Sequence, residues 1–105
     1  LLSGYIKNFN MANGMQIAAQ LGGTAGRKDS AIITGNKWTR VGVILQPLDF
    51  DGATVDTFYF YVRVPNTGAN NGQYGYFDVC MLNEIIASDY AQGLDYCLNK
   101  YPFKL

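Results

Sequence analysis

Thr57-Phe58-Tyr59-Phe60-Tyr61-Val62-Arg63-Val64 (TFYFYVRV) alternates Phe58, Phe60, Val62 and Val64 against Tyr59, Tyr61 and Arg63. Successive side chains of an extended chain point to opposite faces, so a two-residue period marks a strand with one face in a core and the other turned outward. Two further stretches carry the same signature. Trp38 to Leu45 (WTRVGVIL) sets Thr39, Val41, Val43 and Leu45 against Trp38, Arg40, Gly42 and Ile44. Tyr74 to Leu82 (YGYFDVCML) sets Phe77, Val79 and Met81 against Tyr76, Asp78, Cys80 and Leu82. Between Val64 and Tyr74 lies a short polar loop, Pro65 to Gln73 (PNTGANNGQ), which predicts an exposed turn joining its flanking strands as an antiparallel hairpin.

Outward from this centre the pattern weakens. Residues 1 to 36 scatter Gly and Asn between short segments, as strands separated by turns do. Met15 to Leu21 (MQIAAQL) fits neither helical nor strand period cleanly and is read as a strand. Pro47, Asp49, Asp51 and Gly52 mark a loop. After Ala87, Tyr90, Leu94, Cys97, Leu98 and Tyr101 recur at spacings of three and four, which predicts a short helix from Asp89 to Lys100, weakened by about 1 kcal/mol at Gly93. The 105 residues, 49% hydrophobic, suffice for one core. The 8 Tyr, 6 Phe and 1 Trp favour sheet, and 12 Gly favour turns. The expectation is an all-β antiparallel sandwich over residues 1–90, with residues 91–105 as a helical or extended tail packing on the module or on a neighbouring subunit.

The composition excludes several functions. Eight basic and eight acidic residues cancel, so no net field draws the chain to nucleic acid or to an anionic membrane surface. Apolar runs such as Val41 to Leu45 fall far short of the ~20 residues that span a bilayer. With no histidine, Ser-His and Cys-His nucleophilic schemes are absent, and Cys80 and Cys97 alone make no structural zinc site. Those two cysteines either form one bridge or remain free, Cys80 as a buried thiol within its apolar run. Asp78 and Glu84, the sole glutamate, form the one carboxylate pair that a glycosidase reading has, but Glu84 fits a turn-capping role better. Asp49, Asp51, Asp56 and Glu84 are the oxygen donors a calcium would use; without an Asp-x-Asp-x-Asp-Gly loop, Asp49-Phe50-Asp51-Gly52 reads as a turn. Gly22-Gly23-x-x-Gly26 lacks the Lys-Ser or Lys-Thr of a phosphate cradle. No metal, cofactor or catalytic residue is expected. The start at Leu1-Leu2-Ser3-Gly4, without Met and without a signal-peptide pattern, reads as that of a fragment or a processed chain.

Leu1-Leu2-Ser3-Gly4 with Lys7-Asn8-Phe9, then Trp38, Arg40 and Val41 in a W-x-R-V strand, then Met81-Leu82-Asn83-Glu84 and Ala87 to Tyr90, follow one another in an order that resembles the carbohydrate-binding-module-like jelly rolls of phage tail and baseplate proteins of Gram-positive hosts. Ile85-Ile86 replaces that family's Gly-containing turn, and the tail after Tyr90 is additional. The resemblance implies a virion domain exposed to the host surface, with host cell-wall polysaccharide and other virion subunits as partners, in a homo-oligomeric particle.

Such folds stack flat aromatic side chains on the apolar faces of pyranose rings, with polar groups beside them for the hydroxyls. The candidates are therefore Tyr59, Tyr61 and Arg63 from one strand, with Tyr74 and Tyr76 beside them across the expected hairpin. Trp38 is either a stacking platform or the closure of one end of the core, the latter suiting its place in the W-x-R-V strand. Arg40 and Arg63 are bidentate donors to a sugar or its phosphate substituent, or surface ion-pair partners of an Asp. The alternative is a purely structural virion domain whose tyrosines cover protein rather than sugar.

Overall fold

The computed structural model describes residues 1–21, 27–46, 49, 58–65 and 72–101. Six strands and two short helices run in the order β1 (Leu2–Asn8), β2 (Gln16–Leu21), β3 (Lys28–Asp29), β4 (Thr39–Val43), β5 (Phe58–Arg63), β6 (Gly75–Leu82), α1 (Ala87–Tyr90) and α2 (Leu94–Lys100). They form two antiparallel three-stranded sheets, β4-β1-β6 and β3-β2-β5. The fold is mainly β, and the sheets face each other across a shared core as in a sandwich.

That core follows from the alternation. Leu2 and Ile6 of β1 lie opposite Val43 and Thr39 of β4. From the other sheet, Ile17 and Ala19 of β2 lie opposite Val62 and Phe60 of β5. Ile6, Met15, Ile17 and Val41 make one buried cluster and Leu2, Ala19 and Val43 a second, with Phe60 packed against both. Phe60 meets Phe77 of β6 with ring centroids 5.3 Å apart. Asn8, polar but buried, is satisfied locally: its Nδ2 donates to the carbonyls of Met11 and Thr34, both at 2.9 Å, and its Oδ1 accepts from the Met11 N–H at 2.8 Å.

Three expectations are corrected. β5 and β6 do not form a hairpin: β5 pairs with β2 and β6 with β1, in different sheets. Residues 66–71 of the expected turn lie outside the described residues, as do Gly22 to Gly26, Asp51 and Asp56. Within β6 the alternation does not run through. The register with β1 shifts between Ser3 and Tyr5, and Val79 sits at φ 54°, a conformation costly for a β-branched residue. Phe77 and Leu82, which strict alternation puts on opposite faces, consequently both stand opposite inward residues of β1, Ile6 and Leu2, although Leu82 remains exposed. Cys80 is exposed rather than buried, and both cysteines are free.

The tail folds as two helical turns separated at Gly93, whose φ of 95° suits glycine and ends continuous helix between Asp89 and Lys100. It docks on the outer face of the β4-β1-β6 sheet. A Cβ at Gly42 would stand 2.8 Å from the Leu2 carbonyl oxygen and 3.0 Å from Leu98 Cδ2. Arg40 reaches across to donate to the Leu98 carbonyl and, at 2.9 Å, to Ser3 Oγ. Asp89, buried, joins the helices: its carboxylate accepts from Lys100 Nζ at 2.8 Å and the Tyr101 hydroxyl at 2.6 Å, while Cys97 Sγ donates to its carbonyl at 3.3 Å.

Gly42→Ala is expected to destabilise the fold by about 1–3 kcal/mol, as an extra methyl in a packed contact does. Urea unfolding would read this as a lower midpoint at unchanged slope. Gly35→Ala, whose Cβ meets nothing within 4 Å, should leave the midpoint near wild type. A second expectation concerns acid. Hydrogen bonds from Lys100 first, then Tyr101, hold the Asp89 carboxyl below its ordinary range. Its stabilisation is therefore present above the unfolded value and lost as pH falls through the folded one. The melting-temperature gap between wild type and Asp89→Asn, present at pH 7, should close as the pH is lowered below about 4; a gap that persists at low pH would show the charge to be irrelevant.

Candidate functional site

Because Phe60 points into the core, Tyr59, Tyr61 and Arg63 point away from it, as the alternation requires. Their cross-strand partners on that outer face are supplied by β2: Gln20 opposite Tyr59, Ala18 opposite Tyr61, and Gln16 opposite Arg63. On its other side Ala18 faces Asp29 of β3. Ala18, itself fully buried, lies in register between Tyr61 on one side and Asp29 on the other. Tyr59 is 45% exposed, and its ring lies 6.0 Å from that of Tyr61 with 24° between the planes. The exposed Tyr59 ring is thus stacked with the half-buried Tyr61 ring beside a polar rim.

The rim is a fixed network. Arg27 grips Asp29 through two hydrogen bonds, Nε to Oδ1 at 2.6 Å and Nη2 to Oδ2 at 3.2 Å. Arg63 Nη1 donates to Gln16 Oε1 at 2.6 Å and lies 3.5 Å from Asp29 Oδ2. Gln16 Nε2 in turn donates to the Ser30 carbonyl, and Ser30 Oγ accepts from the Ile17 N–H, both at 2.9 Å. The hydrogen bond from Arg27 is the main reason the Asp29 carboxyl stays below its ordinary range, with the charge of Arg63 adding to it. The same bond raises the Arg27 guanidinium. Both groups are charged across the physiological range and are held in place before any ligand arrives.

The remaining candidate residues lie elsewhere. Tyr74 and Tyr76 are not beside Tyr59 and Tyr61 but on the other sheet, whose outer face faces the opposite way. There Tyr76 lies opposite Lys7, Tyr74 meets Tyr76 edge-on at 5.7 Å, and Phe9 stacks on Tyr74 at 4.6 Å. Trp38 does not close the core. It is 48% exposed, with its ring 6.3 Å from that of Tyr76. Arg40 belongs to neither ring group, being engaged by Ser3 and Leu98 under the tail. The seven candidates thus divide into a Tyr59–Tyr61–Arg63 face, a Trp38–Tyr74–Tyr76 face and one structural arginine.

Gln16, Gln20, Arg27 and Asp29, which complete the first face, were not singled out in the sequence. The spacing of Gln16 and Gln20 with Ala18 between them is the signal that marks their common face once β2 is known to be a strand. Among the described residues no three His, Cys, Asp or Glu side chains gather where they could hold a metal ion. Asp49 is paired with Lys28 at 3.1 Å and accepts from the Gln46 N–H at 2.6 Å. Asp78 Oδ1 accepts from the Val79 N–H at 2.8 Å, and Glu84 is exposed beyond β6. Comparison with protein-family models, curated proteins and solved structures gives no match for this chain.

The opposed orientations within β5 have a direct consequence for stability. Phe60→Ala should cost about 3 kcal/mol, as loss of a large core aromatic does. Tyr59→Ala should cost less than about 1 kcal/mol, its ring standing outside the core. Denaturant unfolding of the two variants checks this, and similar losses for both would contradict the facing of the strand.

Proposed function

We propose that this chain is a non-catalytic saccharide-binding module of the jelly-roll-like kind found in phage tails and baseplates, recognising a host cell-surface polysaccharide through the outer face of β5, β2 and β3. The observation that carries the reading is the stacking of the exposed Tyr59 ring with the half-buried Tyr61 ring beside the hydrogen-bonded Arg63–Gln16–Asp29–Arg27 rim. Stacking takes the C–H face of a pyranose, and the planar guanidinium, amide and carboxylate groups take its hydroxyls. The order of the W-x-R-V, M-L-N-E and A-x-x-Y phrases supports the same assignment. In the folded chain the Leu1-Leu2-Ser3-Gly4 stretch and the M-L-N-E phrase are joined: the Leu1 ammonium donates to the Asn83 carbonyl at 2.7 Å and the Asn83 N–H to the Leu1 carbonyl at 2.9 Å. A shallow open face binds weakly, and repetition of the module in a particle supplies the avidity.

A second reading, a purely structural assembly domain, is favoured by a groove of about 670 Å³ lined by Leu1, Leu45, Phe58, Leu82, Asn83, Glu84 and Ile85, where Leu82 is 65% exposed. Apolar surface of this kind suits a neighbouring subunit. Light scattering separates the two: an oligomer that Leu82→Asp returns to monomer, in a protein that binds no polysaccharide, would establish the assembly role.

Titration against a panel of Gram-positive cell-wall polysaccharides tests the first reading. Tyr59→Ala and Tyr61→Ala should each weaken binding up to about tenfold, the worth of one aromatic contact, with the fold intact by circular dichroism. Wild-type protein that binds none of the panel would overturn it.

A further inference from the structure

Phe60 and Phe77 meet between the sheets, so the residues flanking each in its strand are carried to opposite outer surfaces. Tyr59 and Tyr61 lie on one. Tyr76 lies on the other with Trp38, Tyr74 and Phe9, separated from the first group by the roughly 10 Å between packed sheets and the length of both sets of side chains. These four rings are 44–52% exposed. They are joined ring to ring: Phe9 on Tyr74, Tyr74 against Tyr76, Tyr76 against Trp38. Polar groups stand beside these rings. Asn10 is one of these, donating to the Gly72 carbonyl at 3.3 Å and accepting from the Tyr74 N–H at 2.7 Å.

Charge distinguishes this face from the first. Arg27 and Arg63 share the Asp29 carboxylate, and Lys28 and Lys100 are paired with Asp49 and Asp89. Lys7 stands 6.0 Å from the Tyr76 ring centroid with no carboxylate partner among the described residues, and Lys37, next to Trp38 in the chain, also has none there. Asp78, on the same face, is turned back onto the Val79 N–H. The Lys7 ammonium beside the Tyr76 ring complements a sugar that carries a carboxylate or phosphate.

We infer that the Phe9–Trp38–Tyr74–Tyr76 face is a second, separate saccharide site that takes an anionic sugar residue through Lys7, so that one chain bridges two glycan segments; this rests on the saccharide-binding reading of the first face. A chain with a site on each side links polymer strands as a monomer.

Trp38 is the single tryptophan of the chain, so its emission reports this face and not the other. The full chain is titrated with trigalacturonate, a carboxylate source, and with a short glycerol-phosphate teichoic acid, a phosphate source. Saturable change in Trp38 emission with at least one probe is expected. It should weaken about tenfold in Lys7→Gln and between 50 and 500 mM salt, where screening shortens to a few ångströms, and it should persist in the Tyr59→Ala/Tyr61→Ala double variant. Tyr76→Ala should remove it, together with the ability of wild-type monomer to precipitate a polymer that both faces bind. Trp38 emission indifferent to both probes, while the Tyr59–Tyr61 face still binds polysaccharide, would overturn the inference and leave the proposed function standing. Emission that instead follows protein concentration alone would show a second copy of the chain on this face and overturn it as well. A Trp38 response that survives although the first face binds nothing would overturn the proposed site and the bridging inferred here, leaving a single face for an anionic sugar.

Discussion

Packing of Phe60 into the space between the sheets is the contact from which the rest of the molecule is oriented. It touches both apolar clusters and the ring of Phe77, so it ties β5 to both sheets at once. In an extended chain its neighbours have no choice: with Phe60 inside, Tyr59 and Tyr61 are outside. A slip of one residue would exchange the two sets and bury two phenolic hydroxyls in an apolar core, where unpaired polar groups cost several kcal/mol (about 1–3 each by protein measurements). The register with β2 is guarded further by Gln16, which holds Arg63 on one side and the Ser30 carbonyl on the other.

The opposite sheet reaches the same end by a less regular route. β6 has one residue too many to stay in phase with β1, and the excess is absorbed near Val79, whose left-handed backbone costs on the order of 1–3 kcal/mol. Phe77 and Leu82 both come into register with inward residues of β1, Phe77 meeting Phe60 while Leu82 stays exposed, and the strand finishes where Asn83 meets Leu1. Tyr76, on the near side of the shift, keeps its outward direction opposite Lys7. The bulge thus separates the part of β6 that presents rings from the part that leads to the Leu1–Asn83 contact.

Much of this was legible, but only locally. Period two in residues 38–45, 57–64 and 74–82 located β4, β5 and β6, and placed Val41, Val43 and Phe60 inside with Tyr59, Tyr61 and Arg63 together outside. Pairing was not legible, because a short polar loop argues only for proximity along the chain. The strands that capture β5 and β6 are β2 and β1, whose patterns are blurred by residues the core tolerates for other reasons. Ser3 is buried on an outer face because Arg40 holds it under α2, and Asn8 is buried with its hydrogen bonds met. Ala18 and Ala19, on opposite faces, are both buried and chemically identical. The error in pairing carried into the site. Tyr74 and Tyr76 were grouped with Tyr59 and Tyr61 through the expected hairpin, whereas Asp29 and Gln16, the true neighbours, come from strands far away in sequence.

The two ring faces differ in how much ordering a ligand would have to impose. On the β5 face each polar arm is already held by another: Arg27 by Asp29, Arg63 by Gln16 and Asp29. A hydroxyl entering that rim meets groups that already hold partners, so part of the entropy lost in immobilising long side chains, about 0.5–1.5 kcal/mol each, is offset by these surface contacts. Lys7 on the other face has only the Tyr76 ring to lean on, a contact worth about 0.5–1 kcal/mol at an exposed site. Ordering it consumes part of what a charged contact returns, so the proposed anionic site would be the weaker and more salt-sensitive of the two. In the proposed role that asymmetry is useful. The pre-ordered face selects a sugar, the mobile cation tolerates variation in the charged neighbour, and copies of the module in one particle compensate for the modest strength of both.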